Sequence, residues 1–232
     1  DTTVAIRARS FAFGGLPAGV ECRLQSRRFA TGIMAWYRSV TMSLALDTYL
    51  ITQENLSAGR RTEAIVDAAL AGGVDVVQVR EKHRTARTRL EIAETLRGPT
   101  AEAGVPLIIN DRLDIALAVD ADGVHLGDDD LPVAVARAQL GEDAIIGRSV
   151  STVEAAEAAE RAGADYLGVG AIYTTGSKDV DDDENGIGVD VVTEIADAVE
   201  IPLVGIGGVT PERTPDVIEA GADGVAVITA IT

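Results

Sequence analysis

An apolar run, Val76-Val77-Gln78-Val79-Arg80-Glu81-Lys82, ends in polar and charged side chains. A parallel strand covered on both faces does not carry Gln78 and Arg80 without partners, because an uncompensated buried polar group is costly. The pattern predicts a ligand beyond the C-terminal end of that strand. Lysine is otherwise nearly absent: the chain has two, Lys82 and Lys178, among 20 Lys and Arg. Arg80, Lys82 and Lys178 have the charge to surround a pyrophosphate, arginine as a bidentate fork and lysine as a point charge. A Schiff base at one lysine is the competing chemistry. Carboxylates close by favour charge neutralisation instead.

Those carboxylates are Asp111, which follows Asn110, and the trio Asp128, Asp129 and Asp130. They offer oxygen ligands from two neighbouring strand ends, and Mg²⁺ takes one or two carboxylates together with phosphate oxygens and water. Two structural readings compete. Asp111 precedes a predicted helix and is placed to cap it. The trio precedes Pro132 and is placed to balance a helix N-terminus. Gly205-Ile206-Gly207-Gly208-Val209-Thr210-Pro211 joins a predicted strand to a predicted helix, where glycines admit a ligand to the backbone and the helix start favours an anion. His125 lies between Val124 and Leu126, as a packed histidine or as a base, and His83 reads as a loop residue. With no strong histidine candidate, electrostatic stabilisation is favoured over an acid–base relay. In residues 174–188, Thr175, Ser177 and Lys178 form the side expected to clamp a ligand, and Asp181–Glu184 is expected to be solvated.

These residues need a scaffold that gathers strand ends. From Thr48 a unit recurs: a short apolar run, polar or glycine residues, then an Ala-rich helical stretch. Strands are predicted at Thr48–Thr52, Val76–Arg80, Leu107–Asn110, Gly123–Leu126, Ile145–Gly147, Tyr166–Gly170, Leu203–Gly207 and Gly224–Ile228. Helices are predicted at Arg60–Ala71, Arg87–Ala103, Arg112–Val119, Leu131–Leu140, Val153–Arg161, Val189–Val199 and Pro211–Ala220. Gly104, Gly141, Gly163 and Gly221 follow helices as C-terminal stops, and Thr152 and Thr210 are predicted N-caps. Ala121-Asp122-Gly123, Ala164-Asp165-Tyr166 and Ala222-Asp223-Gly224 echo one another at helix-to-strand junctions. The alternation predicts an α/β fold, a (β/α)8 TIM barrel, whose C-terminal strand ends converge on one pocket. Since Thr232 directly follows strand eight, the barrel is expected to lack its last C-terminal helix, with the chain a fragment or another element substituting.

Residues 1–41 differ from the rest. They hold six arginines against two acids, all three phenylalanines and Trp36. They are expected to be an atypical basic extension, with the catalytic barrel over 42–232; a basic arm or a capping helix is the alternative. The single Cys22 excludes an intramolecular disulfide. No apolar run of about 18 residues predicts a membrane span, and the first residues do not form a secretory signal, so a cytoplasmic location is the default. The formal charge of -17 argues against nucleic-acid binding. Acid excess with lysine depletion predicts adaptation to high salt, where repulsion is screened; an ordinary acidic protein is the alternative. The sequence specifies no oligomeric state and is compatible with a homo-oligomer.

Taken together, Q-V-R-E-K at 78–82, I-I-N-D-R at 108–112, A-D-G-V-H-L-G-D-D-D at 121–130, I-G-R-S at 146–149, D-Y-L-G-V-G-A-I-Y-T-T-G-S-K at 165–178, G-I-G-G-V at 205–209 and G-A-D-G-V-A-V-I at 221–228 resemble the thiamine-phosphate synthase family. The resemblance spans about Leu46 to Thr232. It implies a Mg²⁺-dependent barrel that joins a hydroxymethylpyrimidine pyrophosphate to a thiazole phosphate and releases pyrophosphate. It assigns Gln78, Arg80, Lys82, Asn110, Ser149 and Lys178 to the pyrimidine pyrophosphate and Asp111 and Asp130 to Mg²⁺. It assigns Thr175, Ser177, Gly207, Gly208, Ile228 and Thr229 to the thiazole phosphate. The implied mechanism is dissociative: pyrophosphate leaves with help from Mg²⁺, Arg80, Lys82 and Lys178, the aminopyrimidine ring stabilises the resulting cation, and the thiazole nitrogen attacks it; Arg80, Lys82, Ser149 and Lys178 are the implied catalytic residues. Asp128 and Asp129 stand where the family often has Gln and Glu, Ser177 replaces a common Thr, and Arg148 replaces a smaller residue. A thiazole tautomerase-type barrel is the related alternative, and a non-catalytic ligand-binding barrel is the unrelated one.

Overall fold

In a computed structural model, residues 44–176 and 186–229 are described. Eight strands alternate with seven α-helices over these residues. The order is β1 (Thr48–Thr52), a 3-10 turn (Glu54–Leu56), α1 (Thr62–Ala71), β2 (Val76–Val79), α2 (Ala86–Ala103), β3 (Leu107–Asn110), α3 (Leu113–Val119), β4 (Gly123–Leu126), α4 (Val133–Leu140), β5 (Ile145–Val150), α5 (Val153–Arg161), β6 (Tyr166–Val169), α6 (Val189–Ala198), β7 (Leu203–Ile206), α7 (Thr214–Glu219) and β8 (Gly224–Val227). All neighbours pair in parallel, and β8 pairs with β1 to close the barrel. Among the described residues no α-helix follows β8. The expectations for residues 1–41, Ser177, Lys178 and the acidic run at 181–184 lie outside the described residues. No described helix is long and apolar enough to cross a membrane.

The period-2 pleat divides each strand between two cores. Leu50, Val77, Val79, Ile109, Val124, Leu126, Ile146 and Leu167 face the helices in the larger apolar cluster. Tyr49, Ile51, Val76, Ile108, Tyr166, Val204, Ile206 and Ala226 fill the barrel interior. Gln78 and Arg80 follow Val76 at two-residue steps, so both belong to the interior face. Their burial therefore does not contradict a fully covered strand; it marks the inside of a closed one.

Large and small residues alternate across neighbouring strands. Gly147 is in register with Tyr166, and a Cβ at Gly147 would lie 2.1 Å from the Tyr166 ring. Gly147→Ala should cost about 3 kcal/mol by overpacking, read as a lower denaturation midpoint. A midpoint equal to that of the native chain would contradict this packing.

The aspartates of the three Ala-Asp junctions, and Asp75 after Val74, have a common physical role. Asp75, Asp122, Asp165 and Asp223 accept hydrogen bonds from the backbone N–H groups of Thr48, Leu107, Ile146 and Leu203, at 2.9, 2.8, 2.7 and 2.9 Å. Each carboxylate ties its own strand to an adjacent one at the N-terminal end of the barrel. Arg97 and Arg137 pair with Asp122 and Asp165 at 2.9 and 2.6 Å. The glycines after two of these aspartates are required: a Cβ at Gly123 would meet the Ile145 carbonyl oxygen at 1.9 Å, and one at Gly224 the Leu46 carbonyl oxygen at 1.8 Å.

Some predicted boundaries move. Strand two ends at Val79, and strand five continues to Val150, which places Arg148 and Ser149 within it. Thr152 caps α5, accepting from Ala155 N at 3.2 Å. Thr210 does not cap α7, which starts at Thr214 with Arg213 at the N-cap; the Thr210 carbonyl accepts from Arg213 N and Thr214 N instead. The turn after Gly207-Gly208 is thus longer than predicted.

Candidate active site

The interior positions nearest the C-terminal strand ends line a cleft of about 380 Å³, its open mouth included. Gln78, Arg80, Asn110, His125 and Ser149 supply its polar wall, and Ile51, Val204, Ile206 and Ile228 much of its apolar wall. Four of the six residues assigned to the pyrimidine pyrophosphate, Gln78, Arg80, Asn110 and Ser149, thus share one cavity. Arg80 is buried, and its Nη1 donates to Gln53 Oε1. Gln53 also bonds His83 Nε2 at 3.3 Å. Asn110 Nδ2 is buried and has no hydrogen-bond partner. A buried amide left unpaired costs about 1–3 kcal/mol, so it marks where a ligand acceptor belongs.

Asp111 and Asp130 meet beside this cleft. Asp111 has left-handed backbone geometry, φ 62°, and Arg112 rather than Asp111 holds the N-cap position of α3. The capping reading of Asp111 is therefore corrected: its carboxylate pairs with Lys82 Nζ at 3.1 Å. Asp130 Oδ2 accepts from Gly127 N at 2.6 Å. Partial burial and the contact with the Asp111 carboxyl raise the Asp130 pKa, and the Gly127 N–H opposes that shift. The two carboxyls outnumber the one lysine beside them, so when both are ionised the cluster is net negative. Among the described residues no group of three or more His, Cys, Asp and Glu gathers around a metal position. Two carboxylates fit a hard cation whose other ligands are phosphate oxygens and water.

Asp128 and Asp129 do not join that pair in the same way. Asp128 binds Arg148 Nη2 at 2.5 Å, and Arg148 Nη1 donates to the Leu126 carbonyl at 3.2 Å. Asp129 is exposed.

A second cleft, about 450 Å³ with its open volume, adjoins the first and shares Ile206, Ala226 and Ile228 with it. Thr175, Gly207, Gly208 and Thr229 also line it. Gly207 and Gly208 have φ of 100° and 61°. A Cβ at Gly207 would meet Ala171 at 2.6 Å, and one at Gly208 would meet Tyr173 Cβ at 2.8 Å. Both positions require glycine for conformation and for space. Arg213 braces the turn, donating to the Gly208 carbonyl at 2.8 Å and stacking 4.4 Å from the Tyr173 ring centroid.

Sequence reasoning missed three groups. Tyr49 and Tyr166 hold the barrel interior, with hydroxyls 2.7 Å apart, and link Gln78 to His125. Burial raises both phenol pKa values well above ordinary tyrosine, so both stay protonated. Their two-residue spacing from other inward residues was a signal, but which face pointed inward could be read only once the barrel was closed. Glu81 is buried and accepts from Glu54 N at 3.0 Å and Thr62 Oγ1 at 2.7 Å. It ties the loop carrying Gln53 to the strand end that carries Arg80.

A closed barrel of eight parallel strands alternating with helices, with polar and charged side chains gathered at the C-terminal strand ends, defines a protein of the (β/α)8 class. Comparison with known proteins narrows the class. The thiamine monophosphate synthase family matches residues 48–231. Thiamine-phosphate synthase of Haloquadratum walsbyi is 63% identical over 191 residues, covering 82% of this chain and 86% of that protein. The Natronomonas pharaonis thiamine-phosphate synthase is 61% identical, covering 82% and 89%. A solved thiamine phosphate pyrophosphorylase from Pyrococcus furiosus is 40% identical with a TM-score of 0.72, covering 81% and 87%. The chain belongs to the thiamine monophosphate synthase family, and its activity is that of a transferase in thiamine biosynthesis. The first two relatives come from halophilic archaea, in keeping with the acid-rich, lysine-poor composition.

Proposed function

We propose that the protein joins 4-amino-2-methyl-5-hydroxymethylpyrimidine pyrophosphate to a thiazole phosphate, or its carboxylate, and releases pyrophosphate. The carrying observation is the buried, partnerless Asn110 amide in a cleft that also holds Arg80 and adjoins the Asp111–Asp130 pair. An aminopyrimidine fits the narrow polar and apolar first cleft, with its pyrophosphate extending toward Lys82. The thiazole phosphate takes the second cleft, its phosphate on the Gly207-Gly208 turn, with Thr175, Ser177 and the backbone of Ile228 and Thr229 as further donors. The shared wall of Ile206, Ala226 and Ile228 sets the two rings side by side.

Arg80, Lys82 and Lys178 hold the pyrophosphate and stabilise its growing charge as the C–O bond breaks. Ser149 and Gln78 orient the pyrimidine ring, and the apolar wall excludes water from the cation until the thiazole nitrogen attacks. Mg²⁺, when held by Asp111 and Asp130, supplies further positive charge to the leaving oxygens. The location we infer is cytoplasmic.

The test is turnover of both precursors with Mg²⁺, measuring thiamine phosphate and pyrophosphate together. Equimolar products are expected. Isomerisation of the thiazole phosphate with no pyrophosphate released would favour the tautomerase-type activity and refute the proposal.

A further inference from the structure

The turn after β7 contains two consecutive glycines, and its shape is held from outside. Gly207 and Gly208 have φ of 100° and 61°, and neither has a side chain to pin it. No other residue type has so many conformations open to it. Both glycine carbonyls are engaged. The Gly207 carbonyl accepts from Tyr173 N at 3.0 Å, and the Gly208 carbonyl accepts from Arg213 Nη1 at 2.8 Å. A peptide unit is planar, so fixing a carbonyl also fixes the N–H on the same unit. Those N–H groups belong to Gly208 and Val209, and both residues line the second cleft.

Arg213 joins three pieces of the barrel mouth. Its own backbone is anchored on the far side of the turn: Arg213 N, Thr214 N and Thr214 Oγ1 all donate to the Thr210 carbonyl, each at 3.0 Å. Its exposed side chain reaches back to the glycines and lays the guanidinium carbon 4.4 Å from the Tyr173 ring centroid. Tyr173 belongs to the stem of the loop after β6, two residues before Thr175. That stem runs beside the end of β7, with Ile172 N donating to the Ile206 carbonyl at 2.9 Å. The returning side of the loop closes on the stem, where Gly186 N and Ile187 N donate to the Ala171 carbonyl at 2.9 and 3.0 Å. A Cβ at Gly208 would lie 2.8 Å from Tyr173 Cβ, so turn and stem are in direct contact. A guanidinium stacked on a ring with one N–H given to a carbonyl has both its plane and its direction set.

We propose that Arg213 is a positioning residue for the phosphorylated substrate of the second cleft. Together with Tyr173 it holds the Gly207-Gly208 turn in the shape that lets backbone N–H groups meet the phosphate. This deepens the function proposed above and rests on it. Arg213 acts by contact through the turn, not as a charge that draws the anion in. The distinction has weight in a chain of formal charge -17 suited to high salt, where the field of an exposed arginine is screened within a few ångströms.

Arg213→Ala should raise the KM for the thiazole phosphate ~5-fold or more and leave the KM for the pyrimidine pyrophosphate unchanged. The ratio of variant to native KM should persist in about 1 M KCl, where the Debye length falls to about 3 Å. A ratio that collapses toward unity there would mean attraction by charge and overturn the proposal. Tyr173→Leu should raise the same KM, and Tyr173→Phe, which keeps the ring face, should raise it far less. Arg213→Ala and Tyr173→Leu combined should do little more than either alone; additive effects would refute the joint brace. In the substrate-free protein, hydrogen exchange at the Gly208 and Val209 amides, read by ¹⁵N NMR, should accelerate at least ~5-fold in Arg213→Ala. Unchanged exchange, or an unchanged thiazole KM, would reject the assignment. If the native protein turns over neither precursor, the functional proposal falls, while the exchange measurement still decides whether Arg213 holds the turn.

Discussion

Asp130→Asn and Asp111→Asn should each lower turnover by ~10²–10³-fold, the range seen when one charge-stabilising partner of a transition state is removed. Each should also abolish the Mg²⁺ dependence proposed for the native protein. The argument begins with repulsion. The two carboxyls meet beside Lys82, and burial together with the Asp111 contact raises the Asp130 pKa. A carboxyl whose pKa rises on folding favours the fold most below that pKa and works against it once ionised. Asp130→Asn should therefore leave the metal-free protein at least as stable at neutral pH. In the native chain Mg²⁺ should raise Tm, because a cation held by the folded pair and not by the unfolded chain shifts the equilibrium toward the fold. In the variant that rise should vanish. A Mg²⁺-induced Tm shift that survives both substitutions would remove these residues from the metal site, whatever happens to turnover.

Lys178→Ala should cut turnover by at least ~10²-fold, whereas Arg148→Ala should change it far less. The contrast separates charge that serves the ligand from charge that serves the fold. Arg148 is engaged by Asp128 at 2.5 Å and by the Leu126 carbonyl. Its cation is neutralised within the wall of the barrel. Lys178 and Lys82 are the two lysines left in a chain of formal charge -17, which makes them costly to lose where an anion must be held. Single-turnover rates with saturating precursors distinguish the two variants. Equal losses would mean that the mouth acts through its summed field, and near-normal rates for Lys178→Ala would refute the clamp.

Much of the cleft wall was readable because strand periodicity is strict. Gln78 and Arg80 lie two and four residues after Val76, and Asn110 two after Ile108, so one assignment of the inward face carries all of them. The same regularity explains the Ala-Asp echoes, although their role in tying strand to strand emerged only from the paired backbone N–H groups. Asp111 resisted prediction since a carboxylate before a helix reads equally as a cap or a ligand. Its left-handed backbone turns it toward Lys82 instead. Thr210 misled for a related reason: a threonine before Pro211 fits a helix start locally, but the turn runs on to Thr214.

The order of residues along the chain determined the alternation of strands and helices, the acidic surface and the set of polar side chains at strand ends. These are local properties of spacing and composition. Barrel closure decided what no local pattern contains: that Tyr49 on β1 meets Tyr166 on β6, that Gly147 makes room for that ring, and that Asp130 joins Asp111. Each depends on strands distant in sequence being brought to a common interior, where burial and the absence of water give a single hydrogen bond or a single methyl group a decisive weight.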